Sequence, residues 1–320
     1  MIRPAAGAGW GEVDEGMAIH SRYPIGGRRT GRAASAELAQ ARASAADAPS
    51  PLPHSPAARS ERATVGGIDC LVVTPDTAAT GDMVYCHGGG YRRGSPYFMS
   101  GFLSQIAART GVRIVAPRYA LAPEEPYPAA LLDVEQVIAQ VTTAGPDRPL
   151  LLGGDSAGGG LAAAACLAYG ENLPRLVGAV LLSPWLDLTN RAATFTSNAA
   201  SDLLFSHASA TEAADLYLQG LAPGLPLVSP LLADSLAGMP PSLLIAGGAE
   251  VLLHDSTEFA ARLAASHIGV EMAVVPHMQH VSPVLFPDLP STAFGLDRIV
   301  RFIRDRLGGG GPVRDDGGQG

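Results

Sequence analysis

The chain has 320 residues, 47% of them apolar and 16% charged, with a formal net charge of −8; that composition is globular with ample core, and its negative balance argues against nucleic acid as a partner. All 22 basic residues are arginine, which excludes Schiff-base, pyridoxal-phosphate and P-loop chemistry, since each needs a lysine amine. Cys70, Cys86 and Cys166 have neither disulfide nor zinc spacing, and no run of about 18 apolar residues or leader-like h-region is present, so a cytoplasmic protein with no metal, cofactor or membrane partner is expected.

Residues 1–62 are rich in Ala, Gly, Pro, Ser and Arg and read as a flexible lead-in or cap segment. Its one helix-like run, Ala36–Ala46, is closed by Pro49, Pro51, Pro53 and Pro56, which read as a linker. From Ile68 short apolar runs alternate with helical ones. Strands are expected at Ile68–Thr74, Met83–Cys86, Arg113–Ala116, Leu150–Leu152, Val177–Leu182, Ser242–Ala246 and Val270–Val275. Helices are expected at Met99–Arg109, Ala129–Val141, Ala157–Ala168, Ser256–Ala265 and Ala293–Leu307. That alternation predicts an α/β domain over 63–307, a mostly parallel central sheet with helices on both faces. Residues 186–240 break the pattern, with helix-like stretches at Ala199–Leu204 and Thr211–Leu218 and no strand; they read as a helical cap over the carboxyl edge of the sheet. The glycine-rich tail 308–320 is expected to be disordered.

Within this frame Pro149 opens three leucines, and Gly154-Asp155-Ser156-Ala157-Gly158 follows as a GxSxG strand-to-helix turn. Taken alone the pattern is only a tight turn. A serine hydroxyl needs a base, an acid behind the base, and oxyanion donors. Three consecutive glycines in His87-Gly-Gly-Gly-Tyr91, directly after a strand, present unhindered N–H groups, and the N–H of Ala157 would be a further donor. His87 itself reads as a pin for that loop. His280 is the preferred base, with His277 as the second candidate; Glu250, at a strand exit, is preferred as the acid over Asp255, one helical turn further on. The chain order Ser, Glu, His matches neither the chymotrypsin nor the subtilisin arrangement.

These motifs, with Tyr119-Ala-Leu-Ala-Pro-Glu124, Pro128-Ala-Ala, Ser183-Pro-Trp-Leu-Asp187, Ser229-Pro-Leu231 and Met239-Pro-Pro241, resemble over residues 60–307 the hormone-sensitive lipase family of α/β-hydrolase esterases, in its GDSAG branch. The resemblance implies an α/β-hydrolase fold, an oxyanion hole from Gly89, Gly90 and Ala157, and a cap built from the N-terminal segment plus the insertion after Pro184. Gly88, Tyr91 and Asp155 are expected to border the substrate. Three positions depart from the family pattern. Glu250-Val-Leu252 stands where Asp-Pro-Leu is usual, Ala120 replaces an arginine after Tyr119, and Val281-Ser282 follows His280 where Gly-Phe is common.

The expected activity is a serine carboxylesterase acting through an acyl-enzyme on small esters, acetyl to about hexanoyl by resemblance, with Ser156, Glu250 and His280 as the triad. A natural-product deacetylase or a lyase on the same scaffold is the alternative, and a non-catalytic small-molecule-binding protein a more distant one. Leu203, Leu204, Phe205 and Tyr217 suggest an apolar pocket. Arg92 and Arg93 read as a solvated edge, or, more sharply, as a place where one of them meets an acidic group on the substrate. The small ester is the expected partner, and a homo-oligomer is left open.

Overall fold

A computed structural model describes residues 3–4, 19–46 and 48–308. Among them nine strands form one sheet in the order β1-β2-β3-β5-β4-β6-β7-β8-β9. They are β1 (Arg3–Pro4), β2 (Ala58–Val65), β3 (Ile68–Pro75), β4 (Gly81–Cys86), β5 (Val112–Pro117), β6 (Leu150–Asp155), β7 (Leu176–Leu182), β8 (Ser242–Gly247) and β9 (Val270–Val275). β3 pairs antiparallel with β2 and β5, and every pairing from β5 through β9 is parallel. The fold is α/β, as the alternation predicted.

The parallel strands are apolar throughout because both of their faces are covered, and the period of two divides them between two cores. Leu150 and Leu152, with Val84 and Cys86, pack into the core under α3 (Ala129–Ala144), α4 (Ala157–Tyr169) and α7 (Leu253–Ala265). Leu151, Met83 and Tyr85 point the other way, against α2 (Ser100–Thr110) and the helix Pro290–Arg306. Each such leucine, fully removed from water, contributes about 1.5–3 kcal/mol.

Two expectations about the N-terminal part are revised. β2 was absent from the predicted strands, and the segment boundary expected at residue 62 falls inside it. Its charged residues Arg59, Glu61 and Arg62 are exposed or half-buried and spread over both faces, and only its two ends are buried, so its apolar signal is weak. The proline linker is pinned to the domain: Ser50 Oγ accepts from Gly101 N at 3.0 Å, and Leu52 is buried against α2. The helix at Ala36–Ala46, α1, forms where expected. The tail expected to be disordered lies, beyond Gly308, outside the described residues.

Between β7 and β8 the described chain has no strand, only α5 (Thr194–Ser197), α6 (His207–Leu218) and a short 3-10 turn, Pro230–Leu232. The helix expected over Ala199–Leu204 is a turn. Asp202 makes that turn, its Oδ1 accepting from Leu204 N and Phe205 N at 2.9 Å each, the side-chain-to-backbone bonding that lets aspartate compete with a helix.

Candidate active site

Ser156 lies between β6 and α4 with φ 53° and ψ −124°, a conformation seldom adopted outside glycine. Its backbone is held there by Ser156 N donating to Leu182 O at 2.9 Å and by Trp185 N and Gly160 N donating to Ser156 O at 3.0 and 3.1 Å. The flanking glycines are a steric requirement. A Cβ on Gly154 would stand 2.3 Å from Gly158 O, and one on Gly158 would stand 2.1 Å from Cys86 O. Closing strand, turn and helix this tightly lifts the serine hydroxyl off the sheet edge.

His280 Nε2 lies 2.9 Å from Ser156 Oγ, and His280 Nδ1 lies 2.9 Å from Glu250 Oε2. Glu250 is fully buried, and its other oxygen accepts from Gly247 N at 3.2 Å. The competing residues go elsewhere. Asp255 Oδ2 accepts from Leu186 N and Asp187 N at 2.8 and 2.9 Å, tying α7 to the start of the cap insertion. His277 is exposed and lies outside the cavity. Burial of the His280 ring works against its charged form, but the hydrogen bond and charge of Glu250, helped by the charges of Asp202 and Asp155, outweigh it and hold the imidazole pKa above its ordinary value. Asp155 itself is buried, accepts from Tyr85 Oη at 3.2 Å, and is pushed up to about 7 by that burial, against the lowering effects of His280 and these hydrogen bonds.

The loop after β4 turns through Gly89 (φ 126°), Gly90 (φ 63°) and Tyr91 (φ 58°). Among the described residues no backbone carbonyl accepts from the N–H of Gly89, Gly90 or Ala157. His87 pins the loop: its ring stacks on Tyr119 at 4.3 Å, Tyr119 Oη donates to His87 O at 2.6 Å, and burial lowers its pKa to about 4. A neutral ring packed in this way is no candidate for the base.

Ser156, His280, Gly88, Gly89, Gly90 and Asp155 all border one cavity of about 410 Å³. Tyr91 does not reach it, which corrects its assignment as a substrate neighbour. It is buried, stacked on Tyr217 at 3.9 Å and beside Trp185, so both tyrosines anchor α6 to the domain. Of the four cap residues expected to make an apolar wall, Leu204 and Phe205 do so, while Leu203 points to solvent with 79% exposure. Arg92 is no solvated edge: its guanidinium pairs with Glu212 and donates to Ser209 Oγ at 2.9 Å, with 11% of the side chain exposed.

Sequence reasoning missed a lattice of bonds from the cap turn to the two loops that carry Glu250 and His280. Asn198 Nδ2 donates to Glu250 O at 2.9 Å and Ser201 Oγ to Ala249 O at 2.9 Å; Asp202 Oδ2 accepts from Val251 N at 2.8 Å. Gln279 accepts from Leu203 N and donates to Ser201 O, and Phe205 stacks over His280 at 5.6 Å. The available signal was the cluster of turn-forming Asn198, Ser201 and Asp202. Among the described residues no group of His, Cys, Asp and Glu side chains is arranged to hold a metal ion.

A family model described as alpha/beta hydrolase fold matches residues 83–283. An acetyl-hydrolase of Streptomyces hygroscopicus is 35% identical over 77% of this chain and 83% of its own, and an esterase of Acinetobacter venetianus is 30% identical over 78% and 84%. Among solved structures, a hormone-sensitive lipase from a metagenome library superposes with a TM-score of 0.78 at 32% identity, covering 84% of this chain and 92% of the other.

Proposed function

We propose that this chain, which belongs to the α/β-hydrolase-fold family in its hormone-sensitive-lipase branch, uses Ser156, His280 and Glu250 to hydrolyse small carboxylic esters through an acyl-enzyme. It is a serine hydrolase of carboxylic esters; the residues and the course of the reaction are our reading. What carries the reading is the continuous relay from Ser156 Oγ through His280 to Glu250, with 2.9 Å at each step, opening on a cavity beside free backbone donors.

The Ser156 oxygen attacks the ester carbonyl as His280 Nε2 takes its proton. Glu250 holds Nδ1 protonated and supports the imidazolium that forms. The carbonyl oxygen, now negative, is met by the N–H groups of Gly89, Gly90 and Ala157, each such donor contributing about 3–4 kcal/mol to the transition state. His280 protonates the departing alcohol, then deprotonates a water that attacks the acyl-serine and releases the acid. A cavity of about 410 Å³, near the small end of the usual ligand-pocket range, supports substrates with acetyl to about hexanoyl chains.

Ser156→Ala is expected to abolish hydrolysis of short-chain p-nitrophenyl esters with the circular dichroism spectrum unchanged, and an organophosphate is expected to add covalently to Ser156 by mass spectrometry. A variant that keeps the wild-type rate refutes the assignment. A second reading, removal of acetyl groups in particular, is favoured by the Streptomyces relative named acetyl-hydrolase; acetyl esters turning over faster than butyryl esters would support it.

A further inference from the structure

The cavity at Ser156 has an uneven lining: Leu204, Phe205, Val284 and Leu285 are apolar, and Arg92 and Arg93 are cationic. The two arginines are not equivalent. Arg92 is spent on Glu212 and Ser209. Among the described residues the Arg93 guanidinium has no ion pair and no hydrogen bond, although it borders the same cavity as Ser156. Glu212, whose charge acts on Arg93, is already paired with Arg92.

The backbone beneath Arg93 is fixed. Arg93 N donates to Gly89 O at 3.1 Å, a Cβ on Gly89 would stand 2.0 Å from Arg93 O, and Arg42 Nε donates to Arg92 O at 2.7 Å. The turn that presents Gly89 and Gly90 N–H therefore also sets where the Arg93 side chain leaves the backbone. An exposed arginine that borders a partly apolar pocket with its guanidinium unpaired among the described residues is a ready partner for a carboxylate, which it meets with two parallel N–H···O bonds. With Arg92 neutralised, no other free cation borders this cavity among the described residues.

We propose that Arg93 is a specificity-determining residue that binds the carboxylate of an anionic substrate, a half-ester of a short dicarboxylic acid or the acetyl ester of a hydroxy acid. The inference rests on the esterase reading above and names its substrate class. The neutral end of such a molecule lies among Leu204, Phe205 and Leu285, and its ester carbonyl meets Ser156.

The test compares mono-p-nitrophenyl glutarate, which carries one carboxylate, with p-nitrophenyl valerate, a neutral ester of equal chain length, and acetyl-lactate with its methyl ester. Wild-type enzyme is expected to favour the anionic member of each pair by tenfold or more in kcat/KM, chiefly through KM, and to lose part of that preference as salt screens the charge. Arg93→Gln should cut the anionic-to-neutral ratio by ten- to a hundredfold, and Arg93→Lys should restore part of it. A wild-type ratio near one, or a ratio that Arg93→Gln leaves unchanged, overturns the proposal while the esterase reading stands. Turnover of neither member of either pair would count against the esterase reading instead.

Discussion

At the scale of single residues, the proposed triad rests on a carboxylate one methylene longer than the aspartate that the family resemblance leads one to expect at its position. Glu250 reaches both His280 Nδ1 at 2.9 Å and Gly247 N at 3.2 Å from a fully buried position, so its length is matched to where its loop stands. Glu250→Asp would withdraw the carboxylate by about one bond length, and a misplacement of that size is expected to lower kcat about a hundredfold. Glu250→Gln keeps the size and removes the charge, with an expected loss of about 10⁴ in kcat. It also has a pH signature. In the proposed reaction His280 must be neutral to accept the serine proton, and Glu250 raises its pKa against the effect of burial, so wild-type activity is expected to be lost as pH falls through that raised value. Without the charge the acid limb of the kcat/KM profile moves to lower pH. A limb left in place would mean that Glu250 does not act on His280.

At the scale of elements, the proposed catalytic residues come from loops that do not belong to one element, and the turn at 198–202 joins them. Asp202 stands at the junction, with one oxygen on Val251 N next to Glu250 and the other on the turn that leads to Phe205. Asp202→Ala should lower kcat ten- to a hundredfold as the Glu250 loop loosens, and because the Asp202 charge also raises the His280 pKa, it should move the acid limb to lower pH. A loss of thermal stability with kcat and the pH limb intact would make the turn a structural brace only. This lattice was the part of the site least legible in the sequence. The elbow, the triple glycine and the two late side chains carry motif-level signals, because local backbone sterics and chain order constrain them. The register of a cap turn against two loops about fifty and eighty residues later depends on tertiary packing, and nothing local in residues 198–205 announces it. Tyr91 was misplaced for a related reason: a residue beside an oxyanion loop looks exposed until the stacking of Tyr217 is known.

At the scale of the whole molecule, the described part of the N-terminal segment is a strap across the domain, and it answers one of the departures from the family pattern. Ala120 stands where an arginine is usual, yet its N–H donates to Asp133 Oδ2 at 2.7 Å, and Asp133 is paired on its other oxygen with Arg28. A guanidinium thus reaches the carboxylate that Ala120 N–H meets from about ninety residues upstream, which no local motif reveals. Neighbouring contacts point the same way: Arg29 donates to Leu218 O and Gln219 O at the end of α6, and Arg42 binds both oxygens of Glu124. Asp133 is 5% exposed at its side chain while Arg28 is 40% exposed, so solvent screens part of the pair and the full penalty of an unpaired buried charge does not apply. Arg28→Ala is expected to destabilise the protein by about 1–2 kcal/mol, seen as a fall of a few degrees in Tm. Adding Ala120→Arg, which returns a guanidinium to the same loop as the Asp133 contact, should recover part of that loss. If Arg28→Ala leaves Tm unchanged, the strap contributes no stability through Asp133; if the second substitution lowers Tm further, Arg28 and the motif arginine are not interchangeable partners of that carboxylate.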